Sequence, residues 1–165
     1  MPAFIIHGFM GYLLYGKQGF AYGILPDIIG FGPYFFRLLR DYKYNRKNKI
    51  TDIIDSEKME KTDWFLYDIS HSLIPWIILL LVTKNKFFYA SIISIIMDIF
   101  LHSQEYKGWR GPKYLYPISD MVFDGIHWAS PMGITITSVI LFLFIKYKDK
   151  IKDKIKDKIK GYLKN

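Results

Sequence analysis

Five apolar blocks fill this chain of 165 residues, and each is interrupted by almost no charge. Ala129–Ile145 carries no formal charge, and Met1–Gly16 none apart from His7. Trp64–Thr83 holds one acid, Asp68; Phe87–Leu101 holds Asp98; Gln18–Phe36 holds Asp27. About twenty apolar residues span a bilayer core as a helix. Five such blocks leave too little polar chain to cover them as a soluble core. The expectation is an all-α fold: a small polytopic membrane helical bundle with four to five membrane-embedded segments, near 3–16, 18–39, 63–83, 86–104 and 129–147. Residues 1–147 form the embedded domain, and 148–165 form a Lys-rich amphipathic tail. No basic residue precedes the first apolar run, so a cleavable signal peptide is not expected.

Charge sits mainly in that tail. Lys146–Asn165 holds nine Lys and three Asp, which is +6 of the net +8. The high pI therefore reports the tail, and no nucleic-acid partner is expected. Lys-Asp-Lys-Ile repeats three times from Lys148 to Ile159, placing Ile151, Ile155 and Ile159 on one drifting stripe of a helix flanked by lysines. Such a segment is either a solvated extension of the last span or a basic amphipathic helix lying on anionic lipid. Lys17, Lys84, Lys86 and the tail mark one membrane face. The excess of Lys there places the C-terminus in the cytoplasm and the loops 40–62 and 105–128 outside. The seven basic residues of the 40–62 loop run against that orientation.

With no cysteine, thiolate metal centres, disulfides and thiol nucleophiles are excluded. A metal must be held by carboxylates and by His7, His71, His102 or His127. Ionisable residues inside apolar blocks are expensive and mark function by default. Ser91, Ser94, Asp98 and His102 recur at spacings of three, four and four, which is one helical face. Antiparallel packing about a turn at Lys84–Lys86 brings His71 to the depth of Asp98 and His102. Pro75 lacks the N–H that would bond the carbonyl of His71, so a kink is expected there. A hairpin turning at Gly16–Lys17 likewise sets His7 beside Asp27. His7, Asp27, His71, Asp98 and His102 thus converge as nitrogen and oxygen donors for a divalent metal, of which zinc is the commonest example.

These residues carry a resemblance. His7-Gly8, Leu25-Pro26-Asp27, His71-Ser72 and the helix containing Asp98 and His102, followed by Leu115–Asp120, Gly125 and Trp128, resemble the inner-membrane metal-dependent hydrolases of the LexA-binding type. The likeness covers His7 to about Trp128. One departure is Ser94, where many members carry a further His. That family is in turn loosely similar to zinc-dependent phospholipases C, which implies an all-helical metal site and phosphoester hydrolysis. On this reading Asp68, one turn before His71, orients that imidazole or acts as a catalytic base, and Arg110 and Lys113 hold an anionic substrate. The bilayer location makes a lipid-linked phosphoester the natural substrate. The rival reading is a non-enzymatic membrane protein whose polar cluster is a structural network or an ion-binding site.

Overall fold

The computed structural model describes residues 2–44, 58–101, 111–123, 125–126 and 130–164. His102, Arg110, His127, Trp128 and most of the 40–62 loop lie outside the described residues. The described chain is all-helical: α1 (Pro2–Tyr44), α2 (Lys61–Ser70), α3 (Leu73–Thr83), α4 (Phe88–Leu101) and α5 (Pro131–Lys164), with one isolated antiparallel bridge between Lys113 and Val122.

The expected first hairpin is present. α1 turns back on itself at Tyr15 (φ −138°, ψ 18°) and Gly16 (φ 64°, ψ −146°). A residue with a Cβ rarely adopts the Gly16 conformation, so glycine makes the reversal. The two limbs then pack so closely that a Cβ added at Gly23 would collide with the backbone carbonyl of His7. Pro26, inside the second limb, has no N–H to offer the carbonyl of Tyr22. Ser91 of α4 donates its hydroxyl to that carbonyl instead, at 2.7 Å. Ser94, one turn on, donates to the neighbouring carbonyl of Gly23 at 2.9 Å. The small polar residues of α4 therefore face α1 because a proline there leaves a carbonyl to be filled.

The block expected as one kinked helix over 63–83 is two helices, bent by 53°. The break falls at His71–Ser72, where the carbonyl of His71 would have needed the missing N–H of Pro75. Pro75 itself sits in the first turn of α3, where its missing donor costs nothing. Ser72 caps α3 by accepting from the Ile74 N–H at 3.3 Å, and its hydroxyl donates to the Tyr116 carbonyl at 2.7 Å. α2 starts with a reciprocal box between Glu60 and Asp63, and Arg37 of α1 pairs with both acids. The turn after α3 lies against the α1 turn: Asn85 donates to the Tyr22 hydroxyl at 2.8 Å, and the Phe87 ring meets Tyr15 edge-on. Lys17, Lys84 and Lys86 thus share one end of the molecule, and His7 and His71 lie towards the other.

α5 runs without interruption from the last apolar block into the Lys-rich tail. Phe144 packs with Met10, Leu14, Met97 and Leu101 in one core cluster; Tyr34, Met59 and Tyr67 form a second, and Trp76, Phe88 and Ile95 a third. Outside these clusters the polarity is inverted. Phe36, Ile78, Leu81, Val82, Phe142 and Ile118 are exposed, while Ser72, Ser91 and Ser94 are buried. Among the described residues, one helix is long and apolar enough to cross a membrane, Pro131–Ile151, with mean hydropathy 1.3. The α2–α3 pair meets the same criterion as a bent unit. α4 is apolar but has 14 residues, about 21 Å at 1.5 Å per residue. The described part of α4 is thus shorter than a bilayer core of about 30 Å, and residues 102–110 lie outside the described residues.

Candidate metal centre

Four of the five donors read from the sequence meet in one place. His7 comes from the first limb of α1 and Asp27 from the second, brought together by the Gly16 reversal. Asp98 comes from the α4 face that covers the hairpin. His71 comes from the break between α2 and α3, where it terminates α2 with φ −97° and ψ 9°. All four are buried, with relative exposures of 1% for His7, 8% for Asp27, 1% for His71 and 1% for Asp98. Carboxylates this deep must be compensated by cations or hydrogen bonds.

The distances show how. His7 Nδ1 lies 2.9 Å from Asp27 Oδ2, and its other nitrogen, Nε2, lies 3.1 Å from Asp98 Oδ1. His71 Nε2 faces the remaining oxygens, 3.5 Å from Asp27 Oδ1 and 3.7 Å from Asp98 Oδ2. Donor atoms of His7, Asp27 and Asp98 all lie within 4.8 Å of one another. The His71 ring is fixed from behind. Its Nδ1 lies 3.2 Å from the Tyr67 carbonyl and 2.9 Å from the Ser70 hydroxyl, which in turn donates to the same carbonyl. With Nδ1 held by these two groups, Nε2 is the ring nitrogen that faces the two carboxylates. The Tyr67 ring, 4.4 Å from the imidazole, and Phe31, edge-on at 5.5 Å, hold it there.

The donor atoms of His7, Asp27 and Asp98 are close enough together to hold a metal ion, and His71 lies beside them. Ligand atoms about 2.0–2.1 Å from a shared tetrahedral ion are about 3.3–3.4 Å apart. The 3.1, 3.5 and 3.7 Å separations around Nε2 of both histidines bracket that value, and the last two exceed a hydrogen bond. Asp27 serves two ends: Oδ2 orients His7 through Nδ1, while Oδ1 faces the centre. A carboxylate behind a ligating imidazole is the usual second contact of such sites.

No family model, curated protein or solved structure matches this chain. The centre is therefore read from its own residues. Asp68 faces Lys113, whose ammonium lies 3.6 Å away, and Lys113 also pairs with Asp120. The orienting contacts on His71 Nδ1 come from Tyr67 and Ser70, in the role expected of Asp68. Ser94, the position where the resembled family carries a His, holds α4 to the Gly23 carbonyl. The expected ligand His102 and the expected substrate residue Arg110 fall outside the described residues. Tyr67 and Ser70 were not singled out in the sequence. The signal was there in part, since a residue four before a helix-ending His presents its carbonyl to that ring.

Proposed function

We propose that this protein is a membrane-embedded, metal-dependent hydrolase acting on a phosphoester or lipid-linked phosphoester. The observation that carries the proposal is the convergence of His7, Asp27, His71 and Asp98 from four separated stretches of chain at one buried point. A chain that buries two carboxylates and two imidazoles there, under an exterior of Ile, Leu, Val and Phe, has placed its costly residues for chemistry and not for solubility. The order of His7-Gly8, Leu25-Pro26-Asp27 and His71-Ser72, resembling the inner-membrane hydrolases, supports the same reading.

His7, Asp27, His71 and Asp98 would hold the metal, and zinc suits two imidazoles with two carboxylates. A divalent metal so held acts as a Lewis acid and lowers the pKa of a water it binds. Of the chain's own groups, the Tyr67 carbonyl and the Ser70 hydroxyl hold His71 Nδ1, and Asp27 sets the tilt of His7. The exposed apolar faces of α3 and α5 meet the bilayer, with α5 and the bent α2–α3 pair as crossings and α1 and α4 packed against them. The C-terminus is cytoplasmic, and the lysines of α5 beyond the span rest on anionic lipid. Zinc-loaded protein in maltoside should hydrolyse a chromogenic phosphodiester, and Asp98→Asn should reduce that rate by at least about a hundredfold, as loss of a direct ligand exceeds the 10–100-fold effect of outer-shell partners.

The burial of the four donors favours a second reading, in which the cluster is a structural ion site or a network of imidazolium and carboxylate. Metal present without turnover of any phosphoester supports the first of these. Absence of metal supports the second.

A further inference from the structure

One turn of α2 before His71, an open cleft of about 480 Å³ lies between α2 and the loop that follows α4. Its volume is in the range of small-ligand sites. Lys61, Trp64, Phe65 and Asp68 line it from one helical face, and Lys113 and Tyr116 line it from the loop. The loop is tied to the α2–α3 break: Ser72 donates to the Tyr116 carbonyl, and the Leu73 N–H donates to that of Tyr114. The cleft is therefore built on the same joint that positions His71.

Its chemistry has two signs. Lys113 sits 3.6 Å from Asp68, longer than the roughly 2.7–2.9 Å of a charge-assisted hydrogen bond. Both side chains are largely shielded, 17% and 6% exposed, and Lys113 also pairs with Asp120, which is 80% exposed, a surface contact that a ligand phosphate can displace. The Lys113 ammonium stands 5.5 Å over the Tyr116 ring, and Phe65 meets that ring edge-on at 6.2 Å. Two lysines suit a phosphate. A carboxylate among aromatic faces suits an organic cation. A purely anionic ligand would meet Asp68, and a purely cationic one would meet both lysines. One ligand class carries both charges a few bonds apart. We infer that the cleft binds a zwitterionic phosphodiester headgroup of a lipid, an amino-alcohol esterified to phosphate. Ile77, Ile78 and Val82, exposed along α3 from the same joint, offer a surface to its acyl chains.

That the headgroup is also the substrate rests on the hydrolase reading; that it binds does not. The test uses the full chain in maltoside, treated with chelator so that the cleft alone is measured. Calorimetric titrations compare a short-chain phosphoethanolamine lipid, the phosphoglycerol lipid of the same chains, and inorganic phosphate. The ethanolamine lipid is expected to bind about tenfold more tightly than the glycerol lipid, from one added charged contact. Lys113→Met should weaken both lipids. Asp68→Asn should weaken the ethanolamine lipid and abolish the preference, and Phe65→Ala, at an exposed position that does not threaten folding, should weaken both. Equal affinity for the two lipids, phosphate binding as tight as lipid, or indifference to Asp68→Asn and Phe65→Ala overturns the assignment. Binding as expected, with no hydrolysis of that lipid after zinc is restored, removes this lipid as the substrate and leaves the headgroup site standing.

Discussion

His7 Nε2 lies 3.1 Å from Asp98 Oδ1, joining the first limb of α1 to α4 across a helix pair that also packs Met10 and Leu14 against Met97 and Leu101. The contact exists because two devices bring the backbones close: the Gly16 reversal and the repair of the Pro26 gap by Ser91. Each makes a separate claim on experiment.

The Pro26 gap is testable by a double-mutant cycle. Ser91→Ala removes the donor on the Tyr22 carbonyl and should cost about 1–3 kcal/mol, the usual penalty of a buried unsatisfied group. Pro26→Ala restores an N–H to that carbonyl. The double variant should therefore be less destabilised than Ser91→Ala alone, a coupling readable in thermal unfolding in detergent. Additive losses would show that Ser91 acts elsewhere.

Gly23 governs the spacing of the hairpin. A Cβ there meets the His7 backbone, so Gly23→Ala must push the limbs apart. Overpacking of this kind costs about 1–3 kcal/mol, and it should lower bound metal although every ligand is intact. Unchanged metal content in a folded Gly23→Ala protein would mean that His7 does not depend on this contact.

Much of this site was legible because its residues are rare in their surroundings. A single His or Asp in an apolar block stands out, and hairpin arithmetic about Lys17 and Lys84–Lys86 sets the depths. The α2–α3 break was half legible: Pro75 gave the missing hydrogen bond, while Ser72 as a cap and Tyr116 as its anchor required the loop to be in place. The course of the second half of the chain was less legible, because hydropathy counts apolar residues without seeing that α2 and α3 part by 53°. The Arg37 bond to Asp63 was hidden for a similar reason. Two charges far apart in sequence do not announce that helix packing pairs them.

The proposed sidedness rests on which end holds the lysine turns. Single cysteines at Lys84 and Ile118, both exposed, enter a chain with no native cysteine. In intact cells an impermeant thiol reagent should label position 118 and spare 84, placing the centre towards the non-cytoplasmic face. Labelling of 84 alone reverses the orientation. Labelling of both positions would show that the chain between them does not separate two compartments.

The central claim is that His7, Asp27, His71 and Asp98 hold a divalent metal. Elemental analysis of protein purified in maltoside without added chelator, compared with Asp98→Ala and His71→Ala protein of unchanged helical circular dichroism, tests it most directly. The expected result is about one zinc per wild-type chain, as a four-donor site supplies, with both variants near background. Wild-type protein without metal, or equal metal in all three, would contradict the account and leave the four side chains as a buried network of imidazolium and carboxylate.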